Sequence, residues 1–246
     1  MQLLIDFGNT RIKWALLQAG ELHSGDEAIY TEAELAPLFE SWWADLPAPT
    51  RVLCASVADQ TCFARLEQWC LQRWQLPVAR LQAVSRQQGV TNAYADAHTL
   101  GSDRWAALIG AHRLTDRHAG IIDCGSAITI DLLRPDGLHQ GGYIVPGLWM
   151  MQRCLLERTG RINTAPALSN DLAPGDSSAS CISHGALRSV TALLDRLMVD
   201  LQSQYDPRLQ WLLTGGDAPH IQAHLREPGR LVPDLVLQGL ACVAQE

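Results

Sequence analysis

The sequence lacks the cysteine pattern of a secreted, zinc-binding or redox-active protein. It contains seven cysteines, an odd number, at irregular spacings, and no two of them form a C-x-x-C pair. Three of them, Cys54, Cys62 and Cys70, stand in apolar surroundings, where a free thiol behaves as a small hydrophobic core residue. We therefore expect free, buried thiols in a reducing compartment.

Long hydrophobic runs are absent as well. No apolar stretch approaches the roughly 20 residues that cross a bilayer. Residues 1–6 lack the basic region and the cleavage site of a signal peptide. The sequence therefore predicts a cytoplasmic protein with no membrane partner.

Positive charge is scarce. The 246 residues include 19 Lys and Arg against 26 Asp and Glu, a formal net charge of −7. This balance argues against a protein that binds nucleic acid or anionic membranes without specificity. It is compatible with a phosphorylated ligand, provided that a few placed groups hold the phosphate. With 47% hydrophobic residues, the chain is long enough to bury one large core or two moderate ones.

Two segments of the chain echo each other across nearly half its length. In residues 3–17, an apolar strand ends at Asp6, the chain turns through Gly8, and a second strand follows. Residues 120–133 repeat this order with Asp123 and Gly125. Two copies of one unit, each opening with a β-hairpin, account for the echo.

Strands alternate with helices in both halves. In the first half, Thr31 to Glu34 has a capping-box pattern that opens a helix toward Ala44, and Asp59 caps a helix through Trp74. In the second half we expect a turn at Asp136–Gly137, helices over 148–158 and 178–204, a loop over 159–176 and a strand over 209–213. The alternation predicts the α/β class.

Each hairpin gathers the groups that hold a phosphate. Turn amides, a hydroxyl and an ammonium form a phosphate cradle, and a carboxylate beside them holds Mg²⁺ directly or through water. The first hairpin supplies these groups through Asp6, Gly8, Asn9, Thr10 and Lys13, and the second through Asp123, Gly125, Ser126 and Thr129. Two such hairpins facing each other would clamp a nucleotide. The alternative is a pair of ordinary turns, because Asp and Gly at turns need no function; the repetition favours the nucleotide.

The first hairpin carries a resemblance to a known superfamily. Residues 6–13, DFGNTRIK, resemble the first phosphate motif of the acetate/sugar kinase, Hsc70 and actin superfamily. More narrowly, they are similar to type III pantothenate kinase, a family that includes the Bvg accessory factor-like proteins. Further stretches strengthen the narrow match: Tyr94 followed by residues 101–104 (GSDR), residues 123–129 (DCGSAIT), 141–147 (GGYIVPG) and 175–178 (GDSS).

The resemblance implies a fold and a role for each motif residue. The fold is two duplicated RNase H-like, actin-like ATPase lobes with mixed sheets flanked by helices, here over residues 1–115 and 116–246. Asp6 through Lys13 would bind the ATP phosphates and Mg²⁺, Ser126 would touch ATP beside Gly125, and Asp123 would ligate a monovalent cation, K⁺ or NH₄⁺. The pantothenate pocket would be lined by Tyr94, Gly101, Ser102, Asp103, Arg104 and Ser178. Ser126 and Ser178 stand where the family usually has threonine.

Asp103 is the expected general base on the primary hydroxyl of pantothenate. A carboxylate of pKa about 3.9 is too weak to deprotonate an alcohol in the ground state. It would orient the hydroxyl and accept its proton late, which typically contributes ~10²–10⁴-fold. From spacing alone, Asp103 is equally a helix N-cap and Arg104 a surface cation on the helix through Ala111; the family motif favours the functional interpretation.

The leading hypothesis is therefore ATP-dependent phosphorylation of pantothenate to 4′-phosphopantothenate, the first step of coenzyme A synthesis. A second hypothesis is a regulatory protein of the Bvg accessory factor type that keeps the fold and binds partners without turnover. A third is another superfamily kinase that acts on a sugar or an acid. The resemblance also implies a homodimer.

Overall fold

The computed structural model of the chain describes residues 1–158 and 167–246. The described residues form two compact units. The first contains residues 1–114, 136–139 and 234–246, and the second contains residues 115–135 and 140–233. The first unit thus includes the last helix of the chain as well as its N-terminal part.

The first unit is built on a five-stranded mixed sheet in the order β3-β2-β1-β4-β5. Its strands are β1 Gln2–Phe7, β2 Arg11–Gln18, β3 Glu21–Ile29, β4 Val52–Ser56 and β5 Val78–Arg80. β1 pairs antiparallel with β2 and parallel with β4, and β4 pairs parallel with β5. The predicted first hairpin is confirmed as β1 and β2.

The edge strand β3 has no counterpart in the sequence prediction. Most of its residues are exposed and polar, so it shows no apolar alternation. Its register with β2 is held by backbone pairing, which leaves no mark on the sequence. A pair of two-residue strands, β6 Arg86–Gln87 and β7 Val90–Thr91, also escapes prediction, because two residues are too few to show a pattern.

Four α-helices flank the first sheet: α1 Leu35–Trp43, α2 Gln60–Trp74, α3 Ser102–Leu114 and α7 Leu235–Ala244. The capping box at Thr31 and Glu34 is confirmed, although it opens a 3-10 turn that leads into α1. Asp59 caps α2 by accepting from the Thr61 amide, as predicted. Cys54, Cys62 and Cys70 lie in the core beneath this sheet, as expected.

The two helices α3 and α7 pack backbone against backbone. A Cβ atom on Gly239 of α7 would lie 1.9 Å from the carbonyl oxygen of Ala106 of α3. At that position only glycine permits the observed approach. The two helices therefore behave as one rigid pair beside β1 and β4.

The second unit repeats the first sheet, in the order β10-β9-β8-β11-β12. Its strands are β8 Ala119–Cys124, β9 Ala127–Leu133, β10 His139–Pro146, β11 Gln210–Thr214 and β12 Arg230–Leu231. β8 pairs antiparallel with β9 and parallel with β11, just as β1 does with β2 and β4. The echo in the sequence is therefore a repeated topology, and the predicted α/β class is confirmed.

The helices of the second unit are α4 Leu148–Arg158, α5 Ser178–Gln204 and α6 Ala218–Gln222. The first two end where the sequence predicted. Of the predicted loop, residues 159–166 lie outside the described part of the chain, and residues 167–176 have no regular structure. None of the helices in the described part is long and apolar enough to cross a membrane.

Candidate active site

The first hairpin brings the predicted phosphate residues into one short loop of chain. Asp6 lies directly opposite Lys13 in the β1–β2 register, so their side chains stand on the same face of the sheet. The turn between them is closed by the Gly8 amide, which donates to the carbonyl oxygen of Arg11 over 3.0 Å. Asn9 and Thr10 are exposed at its tip. The hairpin thus assembles a carboxylate, an ammonium, a hydroxyl and turn amides within eight residues of sequence.

Tyr30 holds this turn in place, and the sequence analysis missed it. Its hydroxyl donates to the carbonyl oxygen of Gly8 over 2.6 Å, and its amide donates to the carbonyl oxygen of Thr10 over 3.2 Å. Burial raises the pKa of Tyr30 above its ordinary value, so this hydroxyl stays protonated and remains a donor. The signal in the sequence was an aromatic residue directly after a polar strand, which pattern analysis does not connect with a turn 20 residues earlier.

Lys13 is tied into a group of charged side chains. Its ammonium lies 2.6 Å from a carboxylate oxygen of Asp234 and 3.6 Å from one of Glu27. Arg11 makes a second ion pair with Glu27. No sequence signal links Lys13 to Asp234, since the two stand at opposite ends of the chain.

Tyr94 and the stretch 101–104 are joined by a contact between Tyr94 and Arg104. Arg104 donates from Nη1 to the Tyr94 hydroxyl oxygen over 2.9 Å, and its guanidinium carbon lies 5.7 Å from the centre of the Tyr94 ring. Arg104 is only 7% exposed. The alternative that placed Arg104 on the surface is therefore wrong: the ring of Tyr94 covers its guanidinium group.

Asp103 stands in the first turn of α3, which begins one residue earlier, at Ser102. The alternative that made Asp103 the N-cap is therefore wrong, because an N-cap residue precedes the first helical residue. Oδ1 of Asp103 accepts a hydrogen bond from the Arg104 amide over 2.7 Å. A Cβ atom on Gly101 would lie only 2.6 Å from this oxygen. Glycine at 101 thus leaves room for this carboxylate.

Ser102 has a structural role in the described arrangement. Its hydroxyl donates to the carbonyl oxygen of Ser56 over 3.1 Å and accepts from the Ser56 amide over 3.0 Å. It is 8% exposed. The side chain thereby fixes the start of α3 to the end of β4.

The second hairpin repeats the antiparallel pairing of the first, with a turn that is one residue shorter. Asp123 lies opposite Thr129, as Asp6 lies opposite Lys13. The Gly125 amide donates to the carbonyl oxygen of Ala127 over 3.1 Å, and the Gly147 amide donates to that of Ser126 over 3.0 Å. The stretch 141–147 therefore ends against the turn that holds Gly125 and Ser126.

A Gly-Gly turn after β11 forms the other wall around Asp123. A Cβ on Gly215, whose φ is +90°, would lie 2.4 Å from Oδ1 of Asp123, and the Asp217 amide donates to the carbonyl oxygen of Cys124 over 3.0 Å. No motif in the sequence assigned these glycines to the site. The missed signal was a pair of glycines directly after a buried strand, which permits close approach to a neighbouring strand end.

Ser178 is the first residue of α5 and is exposed. The helix is capped by Ser177, whose hydroxyl accepts from the Ser180 amide, while the Ser180 hydroxyl accepts from the Ser177 amide. Ser178 itself takes no part in this capping box. Ser178 and the second hairpin belong to the second unit, whereas the first hairpin and the substrate motif belong to the first.

The residues at both hairpins suit the cations that the sequence analysis assigned to them. Proteins usually bind Mg²⁺ through one or two carboxylates, while waters and phosphate oxygens supply its other ligands. Asp6, beside the phosphate-binding residues predicted for the first hairpin, matches this arrangement. At Asp123, the missing side chain of Gly215 leaves a cradle next to the carboxylate. In the described ranges, 1–158 and 167–246, no three His, Cys, Asp or Glu side chains come together as a metal cluster.

Solved structures support the architecture. A protein from Campylobacter jejuni described as a Baf family transcriptional activator superimposes with a TM-score of 0.61 at 18% identity, over 99% of this chain and 97% of its own. A 2-dehydro-3-deoxygalactonokinase-type structure from Sinorhizobium meliloti gives a TM-score of 0.56 at 10% identity, over 100% and 98%. At these identities the likeness concerns the fold alone.

Relatives with higher sequence identity identify the family. Type III pantothenate kinases from Nitrosococcus oceani and Burkholderia mallei are 39% and 38% identical to the chain. The first alignment covers 100% of this chain and 94% of the relative, and the second covers 99% of both. The family model for type III pantothenate kinase matches residues 2–200. The chain therefore belongs to the type III pantothenate kinase family.

Proposed function

We propose that this protein transfers the γ-phosphoryl group of ATP to the 4′-hydroxyl of pantothenate, the first step of coenzyme A synthesis. Family membership over the whole chain supports the reaction. The observation that carries the residue assignment is the contact of Tyr94 with Arg104, with Asp103 beside Arg104 in the first turn of α3. Motif residues that the sequence separates by a loop meet at one helix start.

The pantothenate side is assigned to the start of α3 and to Ser178. Arg104 offers guanidinium donors to the carboxylate of the substrate, and Tyr94 fixes their direction. Asp103 orients the primary hydroxyl and receives its proton. The hydroxyl oxygen forms a bond to the γ-phosphorus as the bond from that phosphorus to the β–γ bridging oxygen breaks, and the electron pair of the broken bond leaves with ADP.

The ATP side is assigned to the two hairpins. In the first, Lys13, Thr10, Asn9 and the Gly8 amide hold phosphate oxygens, and Asp6 holds Mg²⁺ directly or through water. Mg²⁺ supplies neutralisation of the phosphate charge when it is bound with ATP. In the second hairpin, Gly125 and Ser126 contact the nucleotide and Asp123 holds a monovalent cation, K⁺ or NH₄⁺.

The test is ADP release by the purified protein with Mg-ATP, with and without pantothenate, in KCl and in NaCl. We expect release only with pantothenate, and faster release in KCl. Asp123→Asn should lose the stimulation by K⁺ while release in NaCl changes little. No release in either salt, with ATP still bound, would instead favour the regulatory role of the Bvg accessory factor type; release with a sugar or another acid would favour the third hypothesis.

We further propose a homodimer that forms through the outer face of the second unit. Five large apolar side chains are exposed on β10 and α4, a concentration that is typical of an interaction surface: Tyr143, Ile144, Trp149, Met150 and Leu155. A second copy of the chain would cover it. Light scattering after gel filtration should give twice the chain mass. Ile144→Asp should halve it, whereas Val199→Asp, at an exposed apolar residue of α5, should not.

A further inference from the structure

The ammonium group of Lys13 is fixed in the described structure. Its side chain is 18% exposed, and its Nζ lies 2.6 Å from Oδ1 of Asp234. The other carboxylate oxygen of Asp234 accepts from the Ser24 hydroxyl over 2.7 Å. Asp234 is therefore itself held by a neighbouring strand, so the pair is oriented at both ends.

Asp234 stays ionised over the working pH range. Burial raises the pKa of its carboxyl, but hydrogen bonds from Lys13 and Ser24 and the charge of Lys13 outweigh this, so the pKa lies below its ordinary value. The lowered pKa keeps this carboxyl ionised near neutral pH.

The position of Asp234 is set by a rigid element. It directly precedes α7, and α7 packs backbone to backbone on α3 through Gly239 and Ala106. The same α3 carries Asp103 and Arg104. The packed pair of α3 and α7 thus carries Asp103 and Arg104 on one helix and, directly before the other, the carboxylate that contacts Lys13.

A lysine side chain loses considerable rotamer freedom when its ammonium is fixed. A phosphate that binds beside Lys13 meets an ammonium whose Nζ already lies 2.6 Å from a carboxylate oxygen of Asp234. An ammonium that is already oriented loses less freedom when a phosphate binds, and pre-organisation of this kind increases affinity.

From these contacts we propose that Asp234 is a positioning residue for Lys13: it orients the ammonium for the ATP phosphates and so sets the affinity of the enzyme for ATP. The proposal rests on the proposed function, in which Lys13 is a phosphate ligand. Glu27, at 3.6 Å, contributes less to the same orientation.

The experiment measures the Kd of Mg-ATP by calorimetry, without pantothenate, together with KM values for both substrates. Asp234→Asn should raise the Kd and KM for ATP about tenfold, the loss of one charge-assisted contact, and leave the KM for pantothenate within about twofold. Asp26→Asn removes the same charge from the exposed strand β3 and is the matched control, with no change expected. Asp234→Glu should recover part of the affinity.

A double-mutant cycle separates positioning from a general effect on the fold. In a Lys13→Ala background, Asp234→Asn should change the Kd for ATP no further. If Asp234→Asn fails to fold, Ser24→Ala removes the support of the carboxylate and should raise the Kd for ATP by a smaller factor. An unchanged or lowered Kd in Asp234→Asn, or an undiminished effect without Lys13, would overturn the proposal. Failure of the proposed function would look different: ATP bound normally, but no ADP released with pantothenate.

Discussion

Arg104 and Tyr94 form one unit: the guanidinium group lies against the tyrosine ring and donates to its hydroxyl oxygen over 2.9 Å. Arg104 is buried near the start of a helix, so this contact fixes the direction of its guanidinium group. Both residues belong to the stretches that resemble the family, but the hydrogen bond between them is visible only in the structure.

Tyr94→Phe should therefore weaken pantothenate binding. It removes an acceptor from a charged donor, and such hydrogen bonds contribute about 1.5–3 kcal/mol. We expect the KM for pantothenate to rise by about tenfold or more while the KM for ATP stays nearly constant. Steady-state kinetics with each substrate varied in turn measure this. Tyr205→Phe, at an exposed tyrosine directly after α5, is the control. Equal shifts in the two KM values of Tyr94→Phe would contradict the assignment.

Asp103→Asn should keep ATP binding and lose most turnover. The amide has nearly the shape of the carboxylate but cannot accept the hydroxyl proton, so we expect kcat to fall by ~10²–10⁴-fold. Calorimetry with Mg-ATP and the ADP-release assay give the two quantities. Asp116→Asn, at an exposed acidic residue beyond α3, controls for the change of charge. A variant that turned over at nearly the normal rate would remove Asp103 from the role of base.

Tyr30→Phe tests the support of the first hairpin. Loss of the bond to the Gly8 carbonyl oxygen should lower the free energy of unfolding by about 0.5–1.5 kcal/mol and raise the Kd for ATP. Thermal unfolding and calorimetry measure the two effects. The KM for pantothenate should not move, because the turn belongs to the ATP side of the proposed mechanism. A stable variant with unaltered ATP affinity would show that the turn needs no such anchor.

Buried thiols make stability fall at alkaline pH. Burial raises the pKa of Cys70 to about 12, whereas in the unfolded chain the thiol ionises at about 8.5. The raised value means that the stabilising effect is complete below the unfolded pKa and is lost as the pH rises toward 12. In this window Cys70 contributes a slope of about 1.4 kcal/mol per pH unit.

Urea unfolding of the protein and of Cys70→Ala between pH 8 and pH 11 measures that slope. The variant starts from a lower stability because it leaves a cavity, but its free energy of unfolding should fall less steeply with pH. Cys181→Ala, at an exposed thiol, should keep the slope of the parent protein. Parallel curves for the protein and Cys70→Ala would contradict the assignment of the slope to Cys70.

Local signals in the sequence predicted the elements that they govern. The echo around Asp6 and Asp123, the capping box at Thr31 and the cap at Asp59 each act within a few residues, and each is confirmed. Strand β3 was missed because most of its residues are polar and exposed, so that it shows no apolar alternation. The bounds of β11 differ from the prediction by one residue at each end, within the usual fraying of strand ends.

The site was predictable only as far as its motifs extend. Asp103 and Arg104 are neighbours in sequence, but nothing local indicates that Tyr94 shields Arg104 or that α3 begins at Ser102. The partners of Lys13 illustrate the remaining gap. Asp234 stands at the far end of the chain, and only the packing of α7 with the first unit brings it to Lys13. Such contacts depend on tertiary topology, which periodicity does not encode.

The glycine contact between α7 and α3 ties the last part of the chain to the reaction chemistry. Because the two backbones touch at Gly239 and Ala106, a side chain added at Gly239 would displace the helix that carries Asp103 and Arg104 in its first turn. Changes at the C-terminal helix would therefore act at a distance, as losses of turnover with little change in the side chains that meet the substrate. Inactive variants with substitutions in residues 235–244 should therefore resemble active-site mutants in their kinetics.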